Sequence, residues 1–269
     1  MKMRIFLAAI TLFLLAPSWG VTAATTAKYE CLIEPWSVVE VGAQTQGILD
    51  RIIVDRGQEV SSGESIAELN SEVEKASLEL AKARAGNKTA IRSATSRFEY
   101  EKLRNERREA LFQKNIISSQ ELEESRISMR LARMDVDQAK EDHKIAGLEL
   151  ERAQAIYRLK TIVSPIDAIV LSSNRAAGEY LVEGDHIITL AQIDPLRVEA
   201  FVPLGQTDDL AVGDTVTVYP DEPISGEISG KIDVIDRVSD AASSMIGVRI
   251  IVENPGKKLL AGVRCNVSF

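Results

Sequence analysis

Side chains able to do covalent chemistry are few in this 269-residue chain, which holds two histidines and two cysteines. His143 lies in helical text and reads as solvated, while His186 lies in a glycine turn and reads as structural. There is no cysteine pair at metal-ligand spacing, no HExxH and no nucleophile elbow, and "GEYLVEG" at 178–184 is not a phosphate loop. Acidic residues are many but scattered through helical text, where they read as a solvated face. No catalytic constellation is present, and neither a cofactor nor a metal is expected. What remains are Arg104, Arg107, Leu111 and Ser118, near the midpoint of a long charged stretch of helical character. Guanidinium groups offer forked donors to carbonyl or carboxylate oxygens, and leucine offers an apolar contact, so these residues suit binding rather than bond-making.

The composition suits a folded protein of one to three modules, with 45% hydrophobic and 27% charged residues. A net charge of -8 argues against a nucleic-acid partner, because such affinity comes mainly from neutralising phosphates. Lys2 and Arg4 precede an apolar run from Ile5 to Ala16, with small residues around Ala23 and Ala24. That pattern predicts a signal peptide over 1–24, the alternative being an uncleaved anchor, for which the run is short. Export would place Cys31 and Cys265 where disulfides persist. A bridge between them is expected, the alternative being two buried, unpaired thiols.

Two stretches, 38–69 and 162–190, superpose without a gap. Ile48 meets Ile169, Gly57 meets Gly178, Gly63 meets Gly184, Ile66 meets Ile187 and Leu69 meets Leu190. Each copy alternates β-branched runs with glycine turns, which predicts short strands joined tightly. Neither copy is large enough to bury a core alone, so the two are expected to form one sandwich. "VDRGQEVSSGESIAEL" and "VSPIDAIV…GEYLVEGDHIITL" resemble a lipoyl or biotinyl-carrier domain, and more specifically its split version in periplasmic adaptor proteins, the HlyD-like membrane fusion proteins. A carrier domain would offer a lysine on the turn between its halves. Here that turn is replaced by residues 71–160.

This insertion has no proline and abounds in Ala, Glu, Lys, Arg and Leu. Heptad spacing of Val73, Ala76, Leu80, Ala83, Ala90 and Ala94, and of Ile127, Leu131, Met134, Ile145, Leu148, Ala155 and Leu159, predicts two helical arms packed along those residues. Ser71 with Glu74, and Ser118 with Glu121, predict capping boxes, the second at the hairpin's turn with Ile117 and Leu122 as a staple. Beyond 194 the text returns to short alternating runs, as in a small barrel.

The expected fold class is therefore α+β: a lipoyl-like β-sandwich (38–70 and 161–193) split by a coiled-coil hairpin (71–160), then a β-barrel (194–269), with 25–37 joining the barrel or lipoyl region. The resemblance implies a short adaptor without a membrane-proximal domain, in the Gram-negative periplasm beside the inner membrane. It implies a link between an inner-membrane transporter of RND or ABC type and an outer-membrane efflux duct, as a ring that is a hexamer or trimer of dimers. Arg104, Arg107, Leu111 and Ser118 match the tip signature that such adaptors dock with. The rival readings are a non-catalytic periplasmic coiled-coil tether and a ligand-binding protein using the lipoyl-like domain.

Overall fold

The computed structural model describes residues 28–208, 210–222, 224, 226–239 and 243–269, so the expected signal peptide lies outside the described residues. In chain order the elements are β1 (Lys28–Gly42), β2 (Gly47–Ile52), β3 (Glu59–Val60), β4 (Ser65–Leu69), α1 (Glu72–Gly86), α2 (Thr89–Gln113) and α3 (Ser119–Arg158). There follow β5 (Thr161–Val163), β6 (Ala168–Ser173), β7 (Tyr180–Leu181), β8 (His186–Pro203), β9 (Thr215–Pro220), β10 (Ile228–Ile235), β11 (Met245–Val252) and β12 (Val263–Ser268). The described residues divide into two compact units, one within 34–197 with 253–262, the other within 28–33, 198–252 and 263–269. The fold is α+β, with a long helical hairpin set into the first unit.

In that first unit the two sequence copies hold each other by exchanged backbone bonds. Gly57 N–H donates to Val170 O at 2.8 Å, and Gly178 N–H donates to Leu49 O at 2.7 Å. Gly63 N–H donates to Ser164 O at 2.8 Å, and Gly184 N–H donates to Ala43 O at 2.9 Å. Strand pairing repeats the exchange, with Glu59 opposite Ile169 and Ile48 opposite Tyr180. The four glycines sit at φ between 83° and 93°, a region that L side chains resist, which is why the repeat keeps glycine there. Leu49, Ile66, Leu69, Leu181, Ile187 and Leu190 are almost wholly removed from water in one shared core. Neither copy could satisfy its backbone or cover its apolar residues alone.

The insertion leaves from β4 and returns into β5, which pair antiparallel with Glu68 opposite Thr161, and Leu69 N–H donates to Lys160 O at 2.8 Å. The two ends of the hairpin are thereby clamped one strand spacing apart. Lys160, nearly buried, adds an ion pair to Glu74 at 3.2 Å and donates to Gln46 O at 2.9 Å. From this root α3 runs 40 residues, about 60 Å at 1.5 Å per residue.

The arms pack on each other, but not along the expected residues. Ile127, Leu131, Met134, Ile145 and Leu148 are exposed, as are Val73 and Leu80. The seam instead takes Leu122, Ser125, Ala132 and Val136 as buried residues, in register with half-buried Met129, Ala139, His143 and Ala146. Both sets follow alternating three and four spacings; the buried one is made of smaller side chains, which let the helices approach. His143 is accordingly half-buried in the seam rather than solvated, with Nδ1 unpartnered. Ser71 does stand before α1, but its side chain makes no capping bond.

In the second unit the strands follow the order β1-β12-β9-β10-β11-β8, and β1 also pairs with β8, so the ring of strands closes. Burial alternates strictly, as in Val198, Ala200 and Val202 of β8 and Ile246, Val248, Ile250 and Val252 of β11. Cys31 of β1 lies directly opposite Cys265 of β12, and the two are joined by a disulfide. With a sequence separation of 234, the link removes about 5 kcal/mol of unfolded-state entropy in the loop model. Replacing both by serine, C31S/C265S, is expected to lower the unfolding midpoint by several degrees and to abolish the effect of added dithiol on it. Identical melting with and without dithiol in the parent chain would contradict a stabilising bridge.

Candidate functional site at the hairpin tip

The tip is built by a helix stop and a helix start placed almost back to back. At the stop, Ile116 N–H donates to Leu111 O at 3.0 Å and Asn115 N–H donates to Phe112 O at 2.8 Å, with Asn115 at φ 55°. This pair of bonds, with a left-handed residue between, is a Schellman motif in which asparagine does the work of the usual glycine. Such motifs bring the first and last residues of the bonded stretch together, here Leu111 and Ile116. Leu111 is 38% exposed and Ile116 63%, so the apex presents an apolar pair to solvent.

At the start, Ser118 Oγ accepts from Glu121 N–H at 3.2 Å, while Glu121 Oε2 accepts from Ser118 N–H at 3.0 Å and lies 3.1 Å from Ser118 Oγ. The expected capping box is present, with Leu122 buried behind it and Ile117 half-buried. Both hydrogen-bonding capacities of the Ser118 hydroxyl are used locally. Ser118 therefore shapes the tip. These bonds favour the charged carboxylate: the backbone N–H of Ser118 first, then its hydroxyl, then nearby Arg108 hold Glu121 below the usual 4.5 of a glutamate. Arg108 also ties the arms, its Nη1 donating to Glu121 O at 2.9 Å.

Arg104, Arg107 and Leu111 fall at helical spacing along one face of α2. Arg104 reaches Glu101 at 3.5 Å. Arg107 has no ion pair or side-chain hydrogen bond among the described residues, leaving its guanidinium available. With Tyr100, Leu103 and Arg108 the two arginines line an open cleft of about 270 Å³. Sequence reasoning missed Ile116, Arg108 and Tyr100. The signal for Ile116 was the "KNII" string, since asparagine tolerates the left-handed region and marks where the next apolar residue must turn back.

Elsewhere the structure offers little chemistry. His186 begins β8, with Nδ1 3.7 Å from Glu40 and hydrogen-bond distances of 3.2 Å to Asn174 and Thr189. Among the described residues no group of three or more His, Cys, Asp or Glu could hold a metal ion, and no helix is long and apolar enough to cross a membrane.

No family model matches the chain. Among curated relatives, the multidrug resistance protein MdtE of Escherichia coli is 22% identical over 269 residues, covering 93% of this chain and 66% of its own length. The membrane fusion protein MtrC of Neisseria gonorrhoeae is 24% identical over 267 residues, covering 91% and 60%. The crystal structure of MacA from Actinobacillus actinomycetemcomitans superposes with a TM-score of 0.74 at 24% identity, over 90% of this chain and 77% of that one, so the fold is shared. The chain spans less than two-thirds of the length of these curated relatives.

Acidification tests the capping box. A depressed carboxylate contributes stability that is complete above its unfolded value and is lost as pH falls through its folded value. Carbon-detected NMR titration of Glu121 is expected to give a midpoint below that of an ordinary glutamate, with the start of α3 loosening only under more acid conditions. In Ser118→Ala the midpoint is expected to move upward; an unchanged midpoint would show that the hydroxyl contributes nothing.

Proposed function

We propose, taking as premise that this chain is a membrane fusion protein by its relatives and its fold, that it is a periplasmic adaptor linking an inner-membrane transporter to an outer-membrane duct. The hairpin tip is its docking surface for the duct, and its work is assembly, with no covalent step. The observation that carries this reading is the tip itself. Its stop motif, Leu111 to Ile116, and its start motif, Ser118 to Glu121, are separated by Ile117 alone, and Leu111, Ile116 and Arg107 are left exposed to solvent. A rigid apex bearing an apolar pair beside an unpaired guanidinium has the make-up of an interaction hot spot.

Ring assembly is supported by exposed apolar side chains of the hairpin. Val73 and Leu80 on α1, Tyr100 and Leu103 on α2, and Ile127, Leu131, Met134, Ile145 and Leu148 on α3 are all more than two-fifths exposed. Leu80 borders a cleft between α1 and α3 with Ala153 and Ile156, and the others are exposed apolar side chains spread along both arms. One hairpin can thus offer its exposed α3 side chains to those of α1 and α2 on the next. Such head-to-tail contacts between unlike surfaces generate rings when the rotation closes.

Leu111→Asp in the full chain is expected to weaken duct capture by about 30-fold, a hot-spot loss of ~2 kcal/mol, and to stop transport while melting is unchanged. Leu131→Asp is expected instead to shift the assembled protein toward monomers in sedimentation. Wild-type transport in Leu111→Asp would sink the docking role, and an undisturbed sedimentation profile in Leu131→Asp would sink the proposed ring contact.

A further inference from the structure

The first arm of the hairpin is broken and the second is not. Helix α1 ends at Gly86, Asn87 is extended at ψ 107°, and α2 begins after Lys88, whose side chain makes no capping bond. Opposite this break α3 carries its own glycine. The inter-arm pair Arg84–Glu149 at 3.7 Å sets the level, and stepping the same distance along each antiparallel arm brings Gly86 opposite Gly147. The pair Arg97–Asp135 at 3.6 Å keeps that level on the far side.

Neither glycine is demanded by its surroundings. A Cβ added at Gly86 or Gly147 would meet nothing within 4 Å, and neither has a positive φ, unlike the turn glycines of the sandwich. Glycine is nevertheless the poorest helix former after proline, so two at one level make both arms pliable together. The packing there is thin as well. No residue from 82 to 104 or from 137 to 159 is buried, in contrast to Leu78 and Ala81 near the root and Leu122 to Val136 toward the tip. His143, one turn from Gly147, leaves Nδ1 enclosed in the seam without a hydrogen-bond partner. Few buried apolar contacts are the mark of a segment that opens at low cost.

We propose that Gly86, Asn87 and Gly147 form a joint across the hairpin, on which the distal part, residues 89–146, swings about a root fixed by β4, β5 and Lys160. The sandwich would then set where the hairpin starts, and the joint would set how widely its tip can search. This inference concerns the isolated chain and stands or falls independently of what the tip contacts.

Spin labels at Lys75 in the root and Gln120 near the tip, both exposed, report the swing by pulsed dipolar spectroscopy on the full chain. The parent is expected to give a broad distance distribution. In Gly86→Ala/Gly147→Ala the population away from the main peak is expected to fall about 25-fold, at roughly fivefold per glycine. Amide exchange over 84–92 and 143–150 is expected to slow in the same variant while 125–136 is unchanged. An equally wide distribution in both proteins overturns the joint.

Discussion

Everything in the hairpin unit depends on one exchange of backbone hydrogen bonds between two copies of a short motif. Gly57 and Gly63 of the first copy are satisfied only by carbonyls of the second, and Gly178 and Gly184 of the second only by carbonyls of the first. Buried backbone groups left unpaired are costly, so the copies must fold together. An insertion placed between them is therefore forced to leave and return side by side, and antiparallel helices are the economical way to fill that path. The hairpin's root is thus a consequence of the repeat.

At the other end, geometry again comes from backbone satisfaction. The last carbonyls of α2 and the first amide groups of α3 would be orphaned by the reversal. The Schellman motif around Asn115 gives partners to the carbonyls of Leu111 and Phe112, and the box of Ser118 with Glu121 gives one to the amide of Glu121, all within a few residues. What is left pointing outward, Leu111, Ile116 and Arg107, is held there by a compact turn instead of a long loop. Between root and tip the seam is small-residue, partly polar and thinly packed, which suits a strut that is positioned at its ends and compliant in the middle.

Much of this was legible before any coordinates. The repeat was readable because its glycines occupy φ values that few other residues adopt, and Ser118 was readable because a cap needs serine three residues before glutamate. The packing stripe was not. Helix α3 carries two heptad series, and burial energy per residue favours choosing Ile127, Leu131 and Met134 over Ala132, Val136 and Ala139. In a two-helix seam, close approach of backbones favours the smaller set, and the larger side chains are left exposed. The break after Gly86 was equally hidden, because a single "GN" in a strongly helical text does not say whether the helix bends or stops.

The central claim is that the tip meets an outer-membrane duct. The most direct measurement is photo-crosslinking in living cells from a probe amino acid at Ile116, which is exposed and outside both capping motifs' side-chain bonds. Captured proteins would be identified by mass spectrometry. The account predicts capture of an outer-membrane channel protein, reduced by Leu111→Asp. Capture of only neighbouring copies of this chain, or of nothing, would contradict it.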